Sequence, residues 1–326
     1  MEWTDSGFLD EAEGWIRDQV KVLGPIEQTH VQLWGTVIRV PTRDGPVWFK
    51  AAGEAQSFEP LLIEILAEVA PGKVPDLVAI DRERRWMITA DAGRSLRGLV
   101  TGPADIRLWE EFLPQYASVQ ISALGRVDDL LAIGVPDERL AGLTDRIREV
   151  MSVTEYLMIG LPGGLDDHER VRMESSLDEV ARLCDDLAGM GVPDSIQHDD
   201  LNDGNVFVDG GAYRTMDWGD ACVSHPFHSL TVQLRATAAR LDLQPGGAEI
   251  IRMRDAYLEP FEVFAPRTAL EEAASIAYRT GTLARVHAWH RYISDRRVED
   301  RAEDMEAIPY GIRKFLANEP MGFWRD

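Results

Sequence analysis

Strand-like and helix-like patterns are segregated along this chain, and that asymmetry constrains its fold more than any bulk property. Thr36 to Val40 and Val47 to Ala51 are β-branched or aromatic runs flanking Asp44, Gly45 and Pro46, the pattern of a hairpin. Ile26 to Leu33 offers a strand before it. Phe58 to Ala70 then sets Leu61, Leu62, Ile65, Leu66 and Val69 at helical spacing, and Pro71 with Gly72 stops the helix. A second hairpin pairs Leu77 to Ile80 with Trp86 to Thr89 around the polar turn Asp81 to Arg84. Five strands with one helix after the third make a small α+β unit.

From about Ala104 onward helical periodicity takes over, in segments near 105–123, 138–157, 173–190, 225–242, 247–259, 267–293 and 300–317. The exception is NVFVDGGAYRTMDWG, where two short strand runs flank Gly210 and Gly211. At about 150 residues per domain, 326 residues suffice for two lobes. The pattern divides them into a sheet-rich 1–91 and a mainly helical 92–326.

Charge narrows the partners. With 34 basic and 56 acidic residues the formal net charge is −22, which repels nucleic acid and anionic membrane surfaces. No apolar run approaches the roughly 18 residues of a membrane span, and the acidic N-terminus is unlike a signal peptide, so a cytoplasmic location is expected. Cys184 and Cys222 are too far apart for a zinc or redox motif. The charges leave the oligomeric state open.

The chemistry gathers around the late hairpin. In QHDDLNDGNVFV a polar loop carries Asp200 and Asn205, and loops between packed elements commonly hold catalytic groups. If the hairpin is centred on Gly211, Asn205 falls nearly opposite Asp217, because 205 and 217 sum to twice 211. A neighbouring amide oxygen and carboxylate are hard ligands suited to magnesium that also holds substrate phosphates. Asp200 can then accept a proton from an attacking hydroxyl. Phosphoryl transfer requires chiefly such a base, a metal site and a cation on the phosphates.

These residues resemble the motifs of the aminoglycoside phosphotransferase family, which shares a two-lobed protein-kinase-like fold. The family's H-x-D-L-x-x-x-N loop stands here as HDDLNDGN, His198 to Asn205, and its metal segment as MDWGD, Met216 to Asp220. The resemblance implies an ATP- or GTP-dependent kinase for a small-molecule hydroxyl, with Asp200 as base, His198 supporting the loop, and Asn205 and Asp217 holding magnesium. It implies that Lys50, in VWFKA, holds the phosphates and pairs with Glu59, with Glu64 the competing partner. Backbone groups of Thr89, Ala90 and Asp91 would meet the adenine, and ITADAGRSLR is also readable as a plain interlobe linker, the two readings being compatible. The nucleotide loop would lie at Gly35 and Thr36, where HVQLWGTVIRV has one glycine and no G-x-G-x-x-G. SHPFHSL places His225 and Ser229 where the family usually has Asp residues.

Blander roles compete at several positions. His198 is readable as a hydrogen-bonded core residue, and Asp199 and Asp203 as solvated loop carboxylates. Asp220 caps a helix or braces the loop in preference to binding metal. HAWHRY, with His287, Trp289, His290 and Tyr292, suits core packing better than a metal site or aromatic cage. The acceptor is open between an antibiotic and a metabolite such as an amino alcohol, a sugar or a homoserine-like compound, and the acidic composition suggests a cation. A non-catalytic pseudokinase is the remaining reading.

Overall fold

Two sets of buried apolar side chains, one on each face of a single sheet, organise the chain. The computed structural model describes residues 3–294 and 304–323. Its first elements are α1 (Ser6–Gln19), β1 (Glu27–Gln32), β2 (Gly35–Thr42), β3 (Gly45–Ala52), α2 (Glu59–Val69), β4 (Leu77–Asp81) and β5 (Trp86–Ala90). The five strands form an antiparallel sheet in the order β1-β2-β3-β5-β4. The first hairpin turns at Arg43 and Asp44, since Thr42 pairs with Gly45, so both strands run longer than the apolar runs suggest.

Helix α1 was not foreseen among the acidic residues of the N-terminus. Asp5 caps it, its Oδ1 accepting from the N–H groups of Gly7 (2.8 Å) and Phe8 (3.3 Å). Phe8, Ala12 and Ile16 repeat every four residues and pack with Trp3 on Phe49, Trp86 and Ile88 of the sheet's outer face. Burying a side chain such as Ile16 contributes roughly 1.5–3 kcal/mol, which fixes α1 to the sheet. On the inner face, Leu62, Ile63 and Leu66 of α2 join Val74 and Met87 in a core that continues into the helices.

The rest of the chain comprises β6 (Arg94–Ser95), α3 (Arg107–Ala123), α4 (Val127–Ala132), α5 (Leu140–Ser152), α6 (Thr154–Leu157), α7 (Asp167–Ser175), α8 (Leu177–Ala188), β7 (Ser195–Gln197), β8 (Val206–Asp209), β9 (Ala212–Thr215), β10 (Cys222–Ser224), α9 (Ser229–Leu241), α10 (Ala248–Leu258), α11 (Arg267–Ser294) and α12 (Ala307–Ala317). The expected helix 173–190 is two helices broken at Ser176, and 138–157 breaks at Val153. Residues 300–303 of the expected last helix lie outside the described residues. The expected single late hairpin is joined by short strands: β6 pairs with β8, and β7 with β10. The β6 pairing needs Gly93, whose φ is +89° and where a Cβ would lie 2.6 Å from the Val208 carbonyl oxygen. No helix among the described residues is long and apolar enough to cross a membrane. The fold is α+β, a small sheet lobe on a larger helical lobe.

Candidate active site

The loop after β7 is held by its own polar residues. His198 is fully buried, and its Nδ1 accepts from the Asp200 N–H (3.3 Å), so the ring proton sits on Nε2 and is donated to the Met216 carbonyl (2.8 Å). That imidazole ties the loop to the end of β9. Asn202 Nδ2 donates to Asp200 Oδ2 (2.9 Å), and Asn205 Nδ2 donates to the same oxygen (3.1 Å) and to the Asp200 carbonyl (2.9 Å). The Asn205 nitrogen is thereby committed, which leaves its Oδ1 as the atom available to a cation.

Asp199 and Asp203 are not solvated carboxylates, contrary to expectation. Both are buried: Arg285 Nη1 reaches Asp199 Oδ2 at 3.1 Å, while Arg97 Nε (2.9 Å) and Arg240 Nη1 (2.7 Å) hold Asp203. Buried charges require partners of this kind. The partners lie far away in sequence, so local polarity could not reveal them.

The late hairpin has a different register from the one expected. Val206 pairs with Thr215 and Asp209 with Ala212, so the turn centres between Gly210 and Gly211. Asn205 therefore faces Met216, whose N–H donates to the Asn205 carbonyl (2.8 Å), and Asp217 lies one residue beyond. There the backbone turns out of the strand in the left-handed region, with φ +59° and ψ +64° at Asp217. Asp tolerates this conformation better than most residues.

Lys50, from β3, ends between two carboxylates: Nζ is 2.6 Å from Glu59 Oε2 and 2.5 Å from Asp217 Oδ1. Glu59, not Glu64, is the partner; Glu64 pairs with Arg82. Burial alone would lower the Lys50 ammonium's pKa, but Asp217 and Glu59 outweigh it and raise it. Lys50 in turn holds the Asp217 carboxyl below its ordinary value, against the effect of burial. Glu59 also accepts the Trp218 N–H (2.8 Å), which fixes the turn after Asp217 to α2.

These groups open onto a cleft of about 520 Å³ whose walls carry Asp199, Asp200, Asp217 and Asp220. Burial raises the Asp200 carboxyl's pKa, Arg285 opposes the rise, and the charge of Asp220 adds to it. Asp220 is raised likewise, by burial first. Arg285 sits among these carboxylates, with Nη2 3.8 Å from Asp200 Oδ1. The opposite wall is aromatic: Trp34 at the β1–β2 tip meets Tyr292 of α11 edge to face, centroids 5.6 Å apart, and Trp289 lies beside them.

Sequence reasoning missed Arg285 and Trp34, and read Trp289 and Tyr292 as core. The core reading of HAWHRY describes its histidines: His287 Nδ1 is 3.0 Å from Glu138, and His290 packs edge-on to Tyr156. The nucleotide-loop and hinge positions are occupied with backbone pairing, and Gly35 adjoins Trp34 of the cleft. Gly35 pairs with Ala52, and a Cβ there would lie 2.8 Å from the Ala51 carbonyl oxygen. The Thr36 hydroxyl donates to the His30 carbonyl (2.9 Å). Thr89 pairs with Trp48, the Ala90 N–H donates to Asp76 (2.9 Å), and Asp91 accepts from Trp48 Nε1 (2.9 Å).

Among the described residues no group of three or more His, Cys, Asp or Glu is arranged to hold a metal alone. Asn205 and Asp217 together fit magnesium, which commonly keeps waters and binds through one or two side chains plus phosphate.

A sequence model of the phosphotransferase enzyme family (APH) matches residues 46–271. The chain belongs to this phosphotransferase family. It is a small-molecule kinase, and the family implies use of ATP. Solved structures share the fold across almost the whole chain. A choline/ethanolamine kinase family protein from Mesorhizobium loti is 13% identical with a TM-score of 0.60, covering 94% of this chain and 95% of its own. A macrolide 2'-phosphotransferase from Brachybacterium faecium is 15% identical with a TM-score of 0.58, covering 92% and 97%. An amicoumacin kinase solved with AMP-PNP and Ca2+ is 10% identical with a TM-score of 0.58, covering 98% and 96%. No functionally curated sequence matches.

Proposed function

We propose that this phosphotransferase moves the γ-phosphate of ATP to a hydroxyl of a small, cationic acceptor in the cleft, with Asp200 as general base. The supporting observation is convergence: Asp200 and Asp217 line one cleft, with the Asn205 amide bonded to Asp200 and the Lys50 ammonium to Asp217. The hydroxyl proton passes to Asp200, the acceptor oxygen bonds to the γ-phosphorus, and the bond to the β-phosphate oxygen breaks, releasing ADP. Phosphoryl transfer depends mainly on positioning and charge neutralisation. Asn205 Oδ1 and Asp217 would hold magnesium, which neutralises phosphate charge. Lys50, set by Glu59, places its ammonium on the phosphates. His198 keeps the loop in register through Met216.

In this reading the chain divides near residue 91, with the nucleotide between the lobes and the acceptor on the helical side. Five carboxylates (Glu54, Asp199, Asp200, Asp217, Asp220) against two guanidiniums (Arg285, Arg291) line the cleft, which favours a cation, as do its aromatic faces. Asp200→Asn removes the proton acceptor with little change in volume. Turnover should fall about a hundredfold to ten-thousandfold, while AMP-PNP affinity changes less than about threefold. An acceptor screen by ADP release supplies the assay. Retention of half the wild-type turnover would exclude Asp200 as base.

A further inference from the structure

Beside the cleft, α9, α11 and α12 line a second, partly open cavity of about 170 Å³. Its wall inverts the chemistry of the chain. Whereas the chain carries 56 acidic and 34 basic residues, this wall carries Arg235, Arg279, Arg285 and Lys314 and, among the described residues, one carboxylate, Glu319; Arg279 reaches out of the wall to Glu179 (3.0 Å) and Arg285 to Asp199 (3.1 Å). The cations stand over rings of the same wall: Arg235 lies 5.9 Å from the centroid of Tyr310, Arg279 5.1 Å from Phe315 and Lys314 4.2 Å from Phe323.

A ring face steadies a guanidinium but accepts none of its N–H donors. Arg235 has no carboxylate partner among the described residues, although acidic residues abound in the chain. The unpartnered polar atoms at this wall can donate as well, the hydroxyl among them also being able to accept. Thr231 Oγ1 and Arg279 Nε are buried without a hydrogen-bond partner, and Thr231 is only 7% exposed. The Tyr278 hydroxyl already accepts from the Gly322 N–H (3.0 Å), which leaves its proton to donate. The wall therefore offers the guanidinium of Arg235, hydroxyl and N–H donors, and flat apolar faces.

We propose that this cavity binds a small aromatic carboxylate, with the anion toward Arg235 and the ring against Tyr310 and Phe315. The size agrees, since an apolar cavity of about 150 Å³ holds benzene. Ligand sites generally combine apolar walls with a few placed polar groups. The site is separate from phosphoryl transfer, but Arg285 and Trp289 line both cavities, so the occupant lies one side chain from Asp199.

The test is calorimetric titration of the full chain with benzoate, in the presence of AMP-PNP and magnesium to occupy the nucleotide site. Benzoate should bind saturably with a dissociation constant of about 1 mM or lower. Benzyl alcohol, which lacks the charge, and inorganic phosphate, which lacks the ring, should bind at least about tenfold more weakly. Arg235→Ala should weaken benzoate about tenfold, and Ala307→Met, which fills the cavity without altering a charge, should do the same. Absence of saturation up to about 10 mM, or benzoate binding unchanged in both variants, would overturn the proposal. Circular dichroism confirms that each variant is folded before its titration is interpreted.

Discussion

Arg285 Nη1 donates both to the carbonyl (2.9 Å) and to the carboxylate (3.1 Å) of Asp199, the residue just before the proposed base. Asp199 has φ +60°, a left-handed conformation that costs a non-glycine residue on the order of 1 kcal/mol or more. The guanidinium from α11 thus offsets the strain of a sharp loop and the burial of a carboxylate together. Glycine would relieve the first and make the second irrelevant.

A double-variant comparison follows from that pairing. Arg285→Met leaves Asp199 buried without a cationic partner, with the Gln197 amide (3.2 Å) its remaining hydrogen-bond donor, so stability should fall by about 3–5 kcal/mol. Asp199→Gly/Arg285→Met removes both the charge and the positive-φ strain, and should recover at least half of that loss. Urea denaturation of the two variants decides it. A double variant no more stable than Arg285→Met would show that the arginine acts elsewhere.

Magnesium titration at fixed nucleotide ranks the two cleft carboxylates. Asp217 lies beside Asn205 and is held ionised by Lys50, whereas burial favours the protonated form of Asp220. Asp217→Ala should abolish magnesium-dependent nucleotide binding, and Asp220→Ala should weaken it less than about tenfold. The reverse order would move the metal site to Asp220.

Glu138 supplies a pH signature in the helical lobe. Burial would raise its carboxyl, but His287 at 3.0 Å, Arg291 and Arg146 outweigh that and hold it below its ordinary value. A carboxylate depressed in the folded state stabilises above its unfolded pKa of about 4.3. That contribution is lost as pH falls through the lower folded value. Glu138→Gln should cost about 3 kcal/mol at pH 7, and its stability should vary less with pH below about 4.3 than the wild type's. Melting temperatures measured across that range test this; parallel curves would exclude Glu138 as a source of acid sensitivity.

The lobes were legible because strand and helix periodicities do not overlap along the chain, and the grouping of His198, Asp200 and Asn205 because they are close in sequence. Lys50 and Glu59 were readable for the same reason. The rest depends on distance. Arg285 is one arginine on an amphipathic helix, and only folding brings it to Asp199, 86 residues away. Trp34 falls between two expected strands and carries no local sign of a role, yet it sits at a hairpin tip facing Tyr292. Helix α1 did carry a local signal, Asp5 before Phe8, Ala12 and Ile16, which its acidic neighbours obscured.

The last prediction concerns the acceptor's charge. Cleft carboxylates outnumber cleft guanidiniums, and the chain's net charge of −22 adds a long-range field of the same sign. Negative potential focused in a cleft raises the local concentration and the encounter rate of a cation. Salt screens that field, with a Debye length of about 8 Å at 0.15 M. For a cationic acceptor, the apparent KM should therefore rise severalfold between about 0.05 and 0.5 M ionic strength. The KM for nucleotide should change less, because in the proposed arrangement Lys50 would contact the phosphates directly. Trp34→Ala should raise the acceptor KM further at every salt concentration, because it removes an aromatic face from the cleft. Comparing a choline-like amino alcohol with a neutral sugar in the same assay separates charge from hydroxyl chemistry. Phosphorylation of the sugar alone, with salt-independent KM, would refute the cationic acceptor and leave the kinase activity intact.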